Sequence, residues 1–247
     1  MSISKQYTKE IFGETNYSAT WLPNVIVSPG DVGRITDYQY QPLTTLKDLN
    51  IQFDVVPSSV QADFDYSSTD SVSVHIKAAG QAPLTGSSIT EADAGISINF
   101  TRDNAVVFRI SRCKSTRIKD PKSLGDEIVS RYHAGDWKED MVVVMEVVSA
   151  ASATIVISKG NNAGIDIAAR AKIGSHKLDL ADLEANFQVL KESNIATKII
   201  ASKALTPLFK TSGIIKRFMR NTIFRTFDKV TEGGNGFGNV DYEDFSS

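Results

Sequence analysis

The sequence predicts an α+β fold, a twisted antiparallel sheet with flanking helices. Three observations predict it. Residues 141–157, MVVVMEVVSAASATIVI, form the densest β-branched apolar run in the chain, and such residues favour a buried, pleated surface. Several other segments alternate apolar and polar residues with the two-residue period of a strand. From Leu178 onward the apolar spacing changes to roughly 3.6 residues, the period of a helix.

In chain order, residues 3–12 predict a short helix with Lys5 and Lys9 on a polar side. Residues 21–27, interrupted by Pro23, predict an edge strand that ends in the turn Ser28-Pro29-Gly30-Asp31. Residues 43–53 predict a turn and then a strand. The alternating segments follow. Ala62, Phe64 and Tyr66 alternate with acids and Gln61, and Val72, Val74 and Ile76 alternate with Ser71, Ser73, His75 and Lys77. Ile96, Ile98 and Phe100 alternate with Ser97 and Asn99, and Val106, Phe108 and Ile110 alternate with Val107 and Arg109. One side of each such strand meets apolar material and the other is polar. Residues 79–95 between two of them are rich in Gly, Ser and Thr, and predict a loop.

Pro121 opens a predicted helix within residues 119–132, with Leu124, Ile128 and Val129 as its apolar stripe. The central apolar run then reads as two core strands joined at the small-residue turn Ser149-Ala150-Ala151-Ser152. Residues 165–173 alternate again, with Ile165, Ile167, Ala169, Ala171 and Ile173 on one side and Asp166, Arg170 and Lys172 on the other. Beyond Leu178, the stripes Leu180/Leu183/Phe187 and Ile195/Ile199/Ile200 predict helices, the second ending before Pro207. Residues 211–227 predict an amphipathic helix with Ile214, Ile215, Phe218, Met219, Ile223 and Phe227 on its apolar face.

Composition narrows the class. The 247 residues are 41% hydrophobic and 23% charged with a net charge of -2, as in ordinary globular proteins and with no general attraction to nucleic acid. The single cysteine, Cys113, permits no disulfide within the chain. No stretch approaches the roughly 18 apolar residues of a membrane-spanning helix, so any passage through a bilayer uses another structure. Residues 1–13 carry no apolar core of signal-peptide length, which gives a cytoplasmic expectation. His75, His133 and His176 lie far apart without metal-ligand spacing, and no nucleophile elbow or phosphate loop occurs. No metal, cofactor or catalytic residue is expected, and an enzyme is the least supported class.

Charge is unevenly distributed near the C-terminus. Residues 203–229 hold seven basic side chains (Lys203, Lys210, Lys216, Arg217, Arg220, Arg225 and Lys229) against Asp228, a net of +6. Residues 230–247 hold four acids (Glu232, Asp241, Glu243 and Asp244) and no base, a net of -4. The glycine-rich stretch 233–238 divides the basic segment from the acidic tip and suits a flexible linker.

The order of elements, with the strand Val142-Val143-Val144-Met145-Glu146-Val147-Val148 followed by Thr154-Ile155-Val156-Ile157, resembles the pore-forming domain of the gasdermin family. Likeness in letters is confined to that core strand. The resemblance implies a pore-forming domain over residues 1–229 and a short, autoinhibitory acidic tail over 230–247. It implies two extendable β-hairpins that insert through the apolar sides Val72, Val74, Ile76, Ile96, Ile98, Phe100, Ile165, Ile167 and Ala169. Lys210, Lys216, Arg217, Arg220 and Arg225 would meet anionic lipid head groups. Phe237, Tyr242 and Phe245 would anchor the tail until an activating protease removes it. The product would be a homo-oligomeric β-barrel in the inner membrane, causing cell death in defence. Residues 1–12 lack the N-terminal cysteine that bacterial gasdermins acylate, so acylation is not carried over. The fungal gasdermin-like proteins are a second resemblance, one that implies activation by a partner protein and no role for the tail. A barrel needs strands of roughly ten residues with a lipid-facing and a water-facing side, and the segments 71–79, 95–102 and 164–173 approach that length. The alternative expectation is a soluble β-rich binding or scaffold module.

Overall fold

A computed structural model describes residues 2–22, 25–58, 62–169, 187–202, 205–215 and 223–226. These residues form a sheet-rich α+β fold with antiparallel sheets and two helices. The chain opens with α1 (Ile3–Thr15), β1 (Ser18–Ala19), β2 (Asp31–Thr36), β3 (Gln39–Thr45) and β4 (Val55–Pro57). It continues with β5 (Ala62–Ser67), β6 (Val72–Lys77), β7 (Gly95–Phe100), β8 (Val106–Ile118) and α2 (Pro121–Ala134). Then come β9 (Val142–Ala150), β10 (Ser152–Ser158), β11 (Ala163–Ala169), β12 (Phe187–Ser193), β13 (Ile195–Ser202), β14 (Leu205–Ile215) and β15 (Ile223–Thr226).

Local chemistry sets the helix ends. The Ser2 hydroxyl accepts from the Lys5 amide at 3.3 Å to cap α1, and Asn16, with φ of 59°, closes it in the left-handed region. In α2, Pro121 occupies the first turn, and the Asp120 carboxylate accepts from the Ser123 amide at 3.0 Å. That amide holds the Asp120 carboxyl below its ordinary range. Gly135, with φ of 87°, ends the helix as expected for a residue without a Cβ.

The chain divides into two compact units. The first comprises residues 1–61, 114–149 and 206–247, and the second residues 62–113 and 150–205. In the first unit β9 lies between β14 and the 114–117 half of β8. β2 joins β9, β3 joins β2, β4 joins β8, and β1 and β15 join β14. One apolar cluster gathers Val143 and Met145 of β9 with Leu124, Ile128, Trp137 and Ile118; a second gathers Val144, Val147, Val27 and Phe209. A strand buried on both sides needs an unbroken apolar sequence, which is why Val142–Val144 carry no polar residue.

The second unit is a sandwich of two antiparallel sheets. One has the order β12-β11-β7-β6; the other is built from β5, the 106–113 half of β8, β10 and β13. Ile96, Ile98, Phe100, Ile165 and Ile167 of the first sheet pack against Val107, Val156, Ile195 and Ile200 of the other. Each fully buried side chain of this size contributes about 1.5–3 kcal/mol by leaving water.

Several expectations are corrected. Residues 187–227 are not helical where described, since they form β12, β13, β14 and β15. Ile195 and Ile199 are four residues apart, a spacing that keeps side chains on one face in a strand as well as in a helix. Their β-branched character decides for the strand. Pro207 sits inside β14 without breaking it, and its carbonyl accepts from the Thr20 amide at 3.0 Å. Residues 180 and 183 lie outside the described residues.

The stretch 149–152 is not a turn. β9 and β10 do not pair with each other; both pair with β8 in one continuous register, Ser149↔Lys114 before Ala151 and Ser152↔Ser111 after it. Ser and Ala are small enough for a turn, but Val and Ile on both flanks demand extended partners. β8 itself runs beyond the alternating residues 106–110 to Ile118, and Cys113 lies within it. Residues 21–27 do not form the expected edge strand where described: the Val25 amide turns back to the Leu22 carbonyl and the Val27 amide donates to the Thr206 hydroxyl rather than to a ladder. The strand expected after the turn in 43–53 begins only at Val55, and β3 precedes the turn.

Candidate functional site

The sheet β12-β11-β7-β6 brings together the two segments that the sequence singles out as hairpins. β6 pairs antiparallel with β7, β7 with β11, and β11 with β12. Register sorts the side chains into rows. On the side facing the sandwich interior run Ile76–Ile96–Ile167–Val189, then Val74–Ile98–Ile165, then Val72–Phe100–Ala163. On the other side run Lys77–Gly95–Ala168, then His75–Ser97–Asp166–Lys191, then Ser73–Asn99–Gly164.

Burial follows the rows. Ile96, Ile98, Phe100, Ile165 and Ile167 are buried, Val72, Val74 and Ala169 are half-buried, and Ile76 is 51% exposed. Ile76 therefore departs from the expectation of a buried apolar side: it ends its row on β6, which has a partner on one edge only among the described residues. β6 and β7, with 6 residues each, are shorter than the expected segments 71–79 and 95–102. Residues 170–173 of the expected third strand lie outside the described residues.

Residues 78–94, which join β6 to β7, form a strap against the polar side of this sheet. Lys77, only 1% exposed, donates to the carbonyls of Thr90 at 2.8 Å, Asp93 at 2.9 Å, and Ala78 and Glu91 at 3.2 Å each. Asp166, 4% exposed, accepts from the Ser88 amide at 2.6 Å. Ile89 is buried over Gly95: a Cβ there would lie 2.8 Å from the Ile89 Cδ1 and 2.5 Å from the Ile167 carbonyl oxygen. The sequence alternation places Lys77 and Asp166 in water, and nothing local to either residue reveals the strap that covers them. Gly95→Ala should lower stability by about 1–3 kcal/mol, because backbone rather than a flexible side-chain tip must move; the urea midpoint measures it.

In the first unit, residues 15–30 contain no charged side chain. Within them Leu22 is 52%, Val25 41% and Ile26 69% exposed. The stretch is held by the Val25 amide donating to the Leu22 carbonyl at 2.9 Å and the Val27 amide donating to the Thr206 hydroxyl at 3.0 Å. Sequence reasoning took this segment for an edge strand and missed its exposed apolar tip. The run of residues 15–30 without a charge is the trace it leaves in the sequence.

The basic residues fare differently from one another. Lys210 lies in β14, not in a helix, with its Nζ 4.7 Å from the centre of the Tyr17 ring. Arg225 lies in β15 opposite Gly213. Lys216, Arg217 and Arg220, and the tail residues Phe237, Tyr242 and Phe245, lie outside the described residues.

Other chemistry is sparse. Among the described residues no group of His, Cys, Asp and Glu could hold a metal ion, and no helix is long and apolar enough to cross a membrane. A cleft of about 560 Å³ in the first unit is lined by Ile51, Phe53, Ile118 and Leu124, with Asp54, Asp120 and Glu127 beside them. Cys113 is buried, and burial, aided by the charge of Asp63, pushes its thiol up to about 12. The thiolate is the reactive species, so alkylation of Cys113 in the native protein should be slower than that of a free thiol at neutral pH. The unfolded thiol ionises near 9.0 and the folded one higher. The contribution of this group to stability is thus whole below about 9 and declines as pH rises toward about 12. Alkaline urea titrations check the direction.

Compared with known proteins, the chain matches no family model and none of the curated proteins. The class that the structure defines is a sheet-rich α+β protein of two units, one of them an antiparallel sandwich.

Proposed function

We propose that the protein is a latent pore-former, which assembles in a membrane through the sheet β12-β11-β7-β6 and uses no catalytic residue. The observation that carries this is the row pattern: both hairpins lie side by side in one sheet, with every apolar row on one face and the polar rows on the other. A transmembrane barrel needs that division, one face to lipid and one to water. The four strands alternate in direction, so β6 of one copy would meet β12 of the next in antiparallel sense. Such a head-to-tail contact closes into a ring of copies, and an even number of strands from each copy keeps the barrel antiparallel throughout.

The exposed loop carrying Leu22, Val25 and Ile26 suits first contact with a bilayer, since apolar side chains without nearby charge partition into the interface. Lys210, Lys216, Arg217, Arg220 and Arg225 would add attraction to anionic head groups, each worth about 1 kcal/mol near such a surface. The acidic tail 230–247 would oppose that attraction until a protease removes it, leaving a protein that is cytoplasmic when latent and in the inner membrane when active. In this account it is a gasdermin-like agent of cell death.

A soluble binding or scaffold module is the competing account. The 6 residues each of β6 and β7 and a strap over the polar face favour it, since roughly ten residues per strand are needed to cross a bilayer. Dye release from vesicles containing phosphatidylserine separates the two. The chain ending at residue 229 should release dye and the full chain should do so more slowly, with rings visible by electron microscopy. Intact vesicles at every head-group composition would refute pore formation.

A further inference from the structure

We infer that residues 78–94 are a latch on the four-stranded sheet, fastened by the buried Lys77 ammonium and by Asp166, and that opening it releases the strand length the β6–β7 hairpin lacks. The inference rests on the pore-forming function above for its consequence in a membrane, though not for the latch itself.

The fastening is concentrated in few atoms. Most of the strap is exposed; Ile89 and Ala94 are its buried residues. Lys77 brings three N–H groups to four carbonyl oxygens, of Ala78, Thr90, Glu91 and Asp93, at 2.8–3.2 Å. Three of those carbonyls come from the far end of the strap, so one side chain at the end of β6 ties down the residues that lead into β7. Asp166 reaches across from β11 to the Ser88 amide, and Lys191 of β12 donates to the Gly86 carbonyl at 3.1 Å. The strap is therefore fixed to both hairpins at once.

A buried ammonium is held by charge-assisted bonds but has given up its hydration. The two effects oppose each other, and because the bonds share one side chain they are released as a unit. When the strap lifts, Lys77 regains water and residues on both sides of it become free to extend β6 and β7. The connection is already in place, so lengthening this hairpin requires no break elsewhere in the sandwich.

Hydrogen exchange of the full chain in solution, without any membrane, tests the latch. Lys77→Met should exchange amides of residues 78–94 on the order of tenfold faster or more, with β8 and β10 unchanged. Acceleration spread evenly over the second unit would mean that Lys77 merely stabilises the fold, and it would overturn the latch, as would parent rates in the strap. A second variant, Ser88→Cys combined with Asp166→Cys, closes the strap covalently. In the chain ending at residue 229, its oxidised form should release dye at least about tenfold more slowly than its reduced form. Equal rates for the two forms would overturn the latch while leaving pore formation intact. Faster strap exchange with no dye release from any form would support the latch and refute the pore.

Discussion

Ile76→Lys is expected to leave the soluble fold nearly untouched and to abolish most dye release. Ile76 is 51% exposed on β6, which has a partner on one edge only among the described residues. A polar side chain at such a position changes stability by about 0.5 kcal/mol or less, and the urea midpoint should hardly move. In a barrel the same position faces lipid, in the row Ile76–Ile96–Ile167–Val189. A lysine on the lipid face costs about 2–4 kcal/mol at the bilayer midplane, and the cost recurs in every copy of a ring. Release should fall at least about thirtyfold. Ser73→Lys is the control: Ser73 is exposed on the same strand but lies on the polar side, so release should persist. If Ile76→Lys releases dye as fast as the parent, lipid never meets this face.

That this face could be found from sequence follows from the chemistry of its strands. β5, β6, β7, β11 and the start of β8 were legible because apolar residues, most of them β-branched or aromatic, recur at every second position. β9 and β10 were legible because of their unbroken apolar run, and α2 because Pro121 and its apolar stripe agree. The pairing of β7 with β11 was not, since Ile98 and Ile165 meet across a long stretch of chain that no local pattern encodes. The strands β13 and β14 were misread because a spacing of four residues satisfies both periods. Residues 149–152 were misread because small side chains serve a turn and an extended strand equally well. The strap was illegible for a different reason. Lys77 donates to backbone carbonyls, which every residue possesses, so no side-chain motif announces the site. Exposure of Leu22, Val25 and Ile26 likewise depends on what fails to cover them.

Phe100→Ala should shift the balance between the two states in the opposite direction to Ile76→Lys. Phe100 is 1% exposed and lies in the row Val72–Phe100–Ala163, packed in the cluster with Ala105 and Val107. Truncating a buried phenylalanine costs about 3–5 kcal/mol, part of it lost transfer from water and part the cavity that rigid neighbours leave behind. The urea midpoint should fall accordingly with the slope of the transition preserved. In a bilayer the side chain would face fluid acyl chains, which fill the space as a close-packed interior cannot. The membrane form then loses the transfer part and is spared the cavity part. The balance tips toward the membrane, and the less stable protein should release dye faster at equal concentration. A destabilised Phe100→Ala protein with slower release would mean that this side chain contributes more to the membrane form than to the sandwich.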